Sequence, residues 1–178
     1  KFLSSVTTNR PGFDWEARVS MIPGIAAKVH DAYISGEGFL LVSVLGFEHL
    51  VDIHGTPEMA QGELMRYFAE AVWYPTALLP SQGVHWAAVD ETSARATLTD
   101  GGTTVSLLFK FDKSGLIESV HAESRMRTVG DTMVATPWEC RVSDYESHNG
   151  ILIPQKGEVV WILPEGPLPY WRGSITKL

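Results

Sequence analysis

Between Phe13 and Met21 the chain alternates without a fault. Phe13, Trp15, Ala17, Val19 and Met21 are apolar, and Asp14, Glu16, Arg18 and Ser20 between them are polar. A period of two over such a stretch predicts a β-strand with one buried face. Ile22-Pro23-Gly24 reads as a turn, because proline presets φ and glycine tolerates positive φ. Lys28 to Ile34 reads as a second strand, and Gly36 and Gly38 bracket another turn. Phe39 to Leu45 reads as a third strand, apolar on both faces and therefore central in a sheet. Gly46 marks a bulge before an extended stretch from Phe47 to His54. Before Pro11-Gly12 no period is visible, and that start reads as irregular.

The period then changes. Pro57 to Trp73 predicts an amphipathic helix, with Thr56 as its cap, Pro57 at the first helical position and Glu58 at the positive end of the dipole. Leu64, Met65, Phe68, Ala69, Val72 and Trp73 fall on one side at 100° per residue. Glu63, Arg66, Tyr67 and Glu70 fall on the other. Pro75 stops the helix, since the residue before proline is pushed out of the α region, and Thr76 to Leu79 reads as a short further turn.

After the helix the chain reads as a meander. The expected strands are Val84 to Asp90, Thr92 to Thr99, Thr104 to Phe111, Leu116 to Ser124, Trp138 to Glu146, Ile151 to Pro154, Glu158 to Leu163 and Tyr170 to Thr176. Hairpin turns are expected at Asp100-Gly101-Gly102, at Asp112-Lys113-Ser114-Gly115, at His148-Asn149-Gly150 and over Pro164 to Pro169. The fold class is therefore mainly β with an α+β component. About ten strands form a curved antiparallel sheet or open half-barrel that encloses one main amphipathic helix. No linker or composition break appears, so residues 1–178 read as a single domain.

Composition narrows the function classes. A formal net charge of -7 argues against non-specific nucleic-acid binding and against adhesion to an anionic membrane. Arg125-Met126-Arg127 holds only two cations and reads as an ordinary solvated loop. The single cysteine, Cys140, excludes an intrachain disulfide and sits in a strand-like alternation, where a buried structural thiol is expected. No apolar run is long enough to be a transmembrane helix; Phe39 to Phe47 is strand-sized.

No P-loop, dinucleotide glycine fingerprint, HExxH or nucleophile elbow is present, and no cofactor or metal is expected. Weaker constellations remain. Helical spacing brings Arg66 within reach of Glu63 and Glu70. In water this is a solvated ladder. Inside a cavity it is a carboxylate acid or base beside an arginine that binds an acidic group. Glu48, His49, Asp52 and His54 gather at a strand end but lack an evident third metal ligand on one face. In Pro169-Tyr170-Trp171-Arg172, strand alternation puts Tyr170 and Arg172 on one face and Trp171 on the other. Ser143, Asp144 and His148 are close in sequence, which does not make a triad. His30, Asp31, His85 and His121 read as satisfied polar positions on strands.

The helix segment Gly62-Glu63-Leu64-Met65-Arg66-Tyr67-Phe68-Ala69-Glu70-Ala71-Val72-Trp73-Tyr74-Pro75-Thr76-Ala77-Leu78-Leu79, with Phe13-Asp14-Trp15-Glu16-Ala17-Arg18 and Pro169-Tyr170-Trp171-Arg172, resembles the signature of an uncharacterised bacterial family of unknown function. That family carries further sequence before the Phe13 region, which implies that a first strand or helix is missing here. The order of elements more loosely resembles the lipoprotein-carrier architecture, a curved sheet wrapped around helices that mostly holds lipidic ligands. Fold alone does not decide function.

These residues support three functional expectations. The first is a protein that binds an amphiphilic small molecule or lipid on an aromatic-lined sheet, drawing walls from Trp15, Trp86, Phe109, Trp138 and Trp161. Its ligand-binding candidates are Arg66, Tyr67, Trp73, Tyr170 and Arg172, with Arg66 or Arg172 on an acidic head group. The second is a metal-independent enzyme on a small organic substrate. Glu63 or Glu70 is its base, and Arg66 and Tyr67 steady developing negative charge. The third is a structural module, which predicts a filled sheet face and a large exposed apolar patch elsewhere.

Overall fold

The computed structural model describes residues 1–44 and 48–177, with the backbone alone for Glu48 and His49. The expected bulge at Gly46 lies outside the described residues, as do Leu45 and Phe47. The strands are β1 Phe2–Thr7, β2 Gly12–Ile22, β3 Ile25–Ile34, β4 Glu37–Val44 and β5 Glu48–His54, followed after the helical region by β6 His85–Asp90, β7 Ser93–Asp100, β8 Thr103–Phe111, β9 Ile117–Val129, β10 Thr132–His148, β11 Ile151–Leu163 and β12 Gly166–Ser174. Between β5 and β6 lie helix α1, Pro57–Glu70, and short 3-10 helices at Ala71–Trp73, Pro75–Leu78 and Pro80–Gln82.

The expected single sheet of about ten strands is two antiparallel sheets. A five-stranded sheet runs in the order β1-β2-β3-β4-β5, and a seven-stranded one in the order β12-β11-β10-β9-β8-β7-β6. The reason is visible in the connections. Neighbouring strands within each sheet are consecutive in the chain. The long connection from Gly55 to Val84 carries the helices, so β5 and β6 become sheet edges instead of partners. The chain divides into two compact units: Lys1–Phe68 with Thr99–Val105, and Ala69–Leu98 with Ser106–Leu178.

Several local expectations change for physical reasons. The irregular start is strand β1, paired Phe2↔Ala17 through Thr7↔Gly12. Its residues are exposed throughout, so no burial period marks it in the sequence. Arg125-Met126-Arg127 is not a loop. It lies inside β9, which pairs Thr136↔Arg125 and Val134↔Arg127 with β10. Pro167 and Pro169, expected in a turn, lie in β12, an edge strand that tolerates their missing N–H. The β10–β11 turn is as expected, with Asn149 at φ 52° and Gly150 at φ 85°.

Helix α1 begins where its cap predicts. Thr56 Oγ1 accepts from the Met59 N–H at 3.1 Å. It gives way to 3-10 geometry at Ala71, before the expected end at Trp73. Its polar side is not solvated: Glu63 is only 5 % exposed and Tyr67 only 2 %. From Glu63 to Ala69, Arg66 alone is not fully buried, which is the profile of a helix enclosed by protein.

Candidate functional site

In the first unit, the side chains on one face of the five-stranded sheet include Phe13 and Trp15 from β2 and Asp31 and Tyr33 from β3. The register pairs Phe13↔Tyr33 and Trp15↔Asp31, and paired residues point to the same side. Asp31 is thus a carboxylate on an otherwise apolar face. Arg66 of α1 meets it there, donating to Asp31 Oδ2. The guanidinium carbon also lies 4.8 Å from the Phe13 ring centre and 4.9 Å from that of Trp15. Each member of the Arg66–Asp31 pair has a side chain only 14 % exposed. Asp31 Oδ1 is buried with no hydrogen-bond partner among the described residues.

Tyr67 lies on the next position of the helix and donates to the Thr7 carbonyl at 3.1 Å. Burial, with the Asp100 charge adding to it, pushes its phenol up to about 12. Tyr33 donates to Asp100 Oδ2 at 3.0 Å, and Arg10 Nε reaches Asp100 Oδ1 at 3.0 Å. Burial first, then this bond, raises the Tyr33 phenol well above its ordinary range. Gly36 and Gly101 allow this approach of two turns: a Cβ on Gly101 would stand 2.6 Å from the Gly36 Cα.

The second unit carries a different cluster. One face of its sheet is lined by Trp86, Phe109, Trp138, Cys140 and Trp161, in register from strand to strand. Trp86 Nε1 donates to the Leu78 carbonyl at 2.9 Å, and Trp73 Nε1 to the Pro154 carbonyl at 2.9 Å. The Trp73 ring covers Gly157, where an added Cβ would stand 2.8 Å from the indole. Trp73 therefore serves as packing. Cys140 is buried, and burial raises its thiol far above the reactive range, so it is structural as expected.

Two bulges shape the far part of that face. In β12 the partners shift from Val159↔Trp171 to Val160↔Pro169, which leaves Tyr170 as an extra residue. The simple alternation expected for Tyr170, Trp171 and Arg172 fails there. Tyr170 turns to the Trp138 face, accepts from Trp138 Nε1 at 2.8 Å and stacks on Trp161 at 5.5 Å. Arg172 points the other way, to Glu158. In β9 the shift between Thr136↔Arg125 and Trp138↔Ala122 brings Arg125 and Arg127 onto the tryptophan face. Arg125 lies 5.0 Å from the Trp138 ring centre and Arg127 5.8 Å from that of Trp161. Arg127 has no carboxylate partner among the described residues, and its Nε is buried without an acceptor. Tyr170 is half exposed, and Leu168 on the same strand and Val134, the cross-strand partner of Arg127, are also exposed.

The opposite face of this sheet carries a row of alternating charge across four strands. Arg172 meets Glu158, Glu158 meets Arg141 at 3.5 Å, Arg141 meets Glu139 at 2.5 Å, and Glu139 meets His121 at 3.8 Å. Arg172 is thus committed to a surface network.

The seven candidates from the sequence are divided between the two units. Glu63, Arg66 and Tyr67 belong to the first unit, and Glu70, Trp73, Tyr170 and Arg172 to the second. Sequence reasoning missed Asp31, Arg125 and Arg127. Asp31 was readable, since it shares parity with Tyr33; the two arginines were hidden by the β9 bulge. Elsewhere, Asp52 and His54 share a 3.1 Å hydrogen bond, with both side chains exposed. The side chains of Glu48 and His49 lie outside the described residues. Asp144 pairs with Lys156, Tyr145 with the Ile117 carbonyl and His148 with Gln155, so these neighbours in sequence engage separate partners. Among the described residues no three metal-ligating side chains converge, and no helix is long and apolar enough to cross a membrane.

Residues 4–178 match the model of DUF6920, a family of unknown function, and the chain belongs to that family. No curated protein and no solved structure matches it.

Proposed function

We propose that this member of a family of unknown function binds an amphiphilic small molecule or lipid with an anionic head group. In this reading the ligand lies on the aromatic–arginine patch of the second unit, formed by Arg125, Arg127, Trp138, Trp161 and Tyr170. The observation that carries the reading is Arg127: a cation over Trp161, without a carboxylate partner among the described residues, in a chain of net charge -7. A guanidinium with a buried, unmatched donor favours an incoming carboxylate or phosphate, since that group completes its hydrogen bonds. The half-exposed Tyr170 and the exposed Leu168 and Val134 supply the apolar surface that an acyl or aromatic body needs. Arg66 and Arg172, the head-group candidates of the sequence, are instead engaged by Asp31 and Glu158.

Native mass spectrometry of the purified protein, with extraction of whatever is bound, is the test. A co-purifying anionic amphiphile supports the reading. An apo mass, together with no displaceable binding of a fluorescent fatty-acid probe, overturns it.

One observation favours a second reading, metal-independent acid/base catalysis in the first unit. Glu63 is a buried carboxylate, one helical turn from Tyr67 and three residues from the Arg66–Asp31 pair. Glu63→Gln leaving an identified turnover unchanged removes Glu63 from that role. Glu70, the other candidate base, belongs to the second unit.

A further inference from the structure

The β2–β3 hairpin has an uncommon composition at its tip. From Val19 to Ala27 no residue is charged. Val19 is 49 % exposed, Met21 54 % and Ile22 60 %, and Pro23 is exposed beside them. Water-facing hairpin ends are normally polar, because exposed aliphatic surface costs about 25 cal/mol per Å² that burial would recover. Among the described residues the tip also runs past its neighbouring strands. The β1 ladder ends at Phe2↔Ala17, and the β4 ladder ends at Ala27↔Val44. Beyond these points, among the described residues, β2 and β3 pair only with each other, through Ser20↔Ala26 and Ile22↔Ile25.

The base of the tip is cationic. Arg18 and Lys28 are cross-strand partners and so share a face. Lys1 stands next in the same row, its carbonyl accepting from the Arg18 N–H at 3.2 Å. The only acid paired to this row among the described contacts is Glu16, 3.2 Å from Lys28 with both side chains half exposed, a surface pair of little energy.

From these observations we infer that the β2–β3 hairpin docks this protein on a phospholipid bilayer. The tip would enter the interface, and the Lys1–Arg18–Lys28 row would meet lipid phosphates. The dimensions fit. About five residues separate the cationic row from the turn, which at roughly 3.3 Å per residue is about 16 Å. Among the described residues the outer backbone edges of Ser20 to Ala26 have no neighbouring strand, and unpaired backbone does not enter the hydrocarbon core. Insertion is therefore shallow, roughly 5–10 Å, the depth of an interfacial element. That immerses Met21, Ile22, Pro23 and Ile25 and leaves the cationic row at head-group level. A protein partner fits less well. The tip offers a few aliphatic side chains and no aromatic anchor, short of the roughly 800 Å² per side and the aromatic hot spots of stable interfaces. The net charge of -7 does not oppose this contact at short range, since charges farther than about 8 Å are screened at physiological salt.

The test is vesicle flotation of the whole chain with phosphatidylcholine vesicles and with mixed phosphatidylcholine–phosphatidylglycerol vesicles. Both Met21 and Ile22 are exposed, so Met21→Asp and Ile22→Asp leave the packing intact, which circular dichroism verifies. We expect wild-type protein to float with the mixed vesicles, Ile22→Asp to weaken partitioning about tenfold or more, and Arg18→Gln to weaken it a few-fold. Failure to float with either vesicle, or flotation unchanged by both aspartates, overturns the inference. Flotation lost in Trp161→Ala but kept in Ile22→Asp assigns membrane contact to the ligand patch instead and also overturns it. So does a concentration-dependent dimer, in lipid-free solution, that Ile22→Asp abolishes.

Discussion

Each unit sets a guanidinium on aromatic rings, and the two do so to opposite ends. Arg66 lies 4.8 Å from Phe13 and 4.9 Å from Trp15, and Asp31 closes the arrangement on the third side. Arg127 lies 5.8 Å from Trp161 with no acid among the described residues to close it. The ring contact alone is worth about 0.5–2 kcal/mol in either place and does not separate a structural arginine from a receptive one. The carboxylate does. Where it is present, the cation is neutralised and its hydrogen bonds are directed inward, so the group pins helix to sheet. Where it is absent, a donor stays unmatched beside exposed apolar surface.

Breaking the closed arrangement gives the largest expected effect. Asp31→Ala removes the carboxylate to which the largely buried Arg66 donates, which costs about 3–5 kcal/mol. Urea unfolding measures it as a lowered midpoint at unchanged slope. Asp31→Leu combined with Arg66→Met recovers most of that loss, since a buried pair with an unsatisfied oxygen is little better than an apolar replacement. A loss below about 1 kcal/mol in Asp31→Ala would mean that Asp31 is not what holds Arg66, and the contrast between the units would fall.

A smaller effect separates the units by pH. Burial holds the phenol of Tyr67, in the first unit, and that of Tyr145, in the second, near 12. Both folded values lie above the ordinary 10, so the fold favours the neutral phenol. The stability this provides is complete below about pH 10 and is lost as pH rises through about 12, up to about 2–3 kcal/mol for each tyrosine. Tyr67→Phe therefore flattens the alkaline fall in stability only in part, and the remainder belongs to groups such as Tyr145. Stability measured by urea titration from pH 9 to 12 that keeps its full slope in Tyr67→Phe would show that Tyr67 ionises as freely folded as unfolded.

The contrast also explains how far the sequence was legible. The alternation from Phe13 to Met21 and the capped helix at Thr56-Pro57 were plain, because each expresses one period without interruption. The buried side of α1 was not. Glu63, Arg66 and Tyr67 have the pattern of a solvated face, and contacts to other elements, Arg66 to Asp31 and Tyr67 to the Thr7 carbonyl, make that face an interior one. In the second unit the obstacle was the register. A bulge adds one residue and reverses the facing of the strand beyond it, so Tyr170 appears on a face it does not occupy, and Arg125 and Arg127, read as a loop, lie on the tryptophan face. Sequence alternation carries no mark of such an insertion. The separation into two sheets was equally hidden, since hairpin turns specify local pairing and say nothing of the edges a helical connection creates.

The smallest effect on stability is the sharpest test of the open arrangement. Arg127→Gln keeps a donor and much of the side-chain volume but removes the charge. No ion pair is broken, so unfolding free energy should change by about 0.5 kcal/mol or less, the range of a partly exposed ring contact. Binding of an anionic fluorescent amphiphile should weaken about tenfold, the effect of one charge-assisted hydrogen bond of roughly 1.4 kcal/mol, and an uncharged analogue of the same chain length should be hardly affected. If Arg127→Gln instead destabilises the fold by several kcal/mol and leaves the anionic and neutral probes equally bound, Arg127 is a second pin like Arg66. The head group would then have to be sought at another cation.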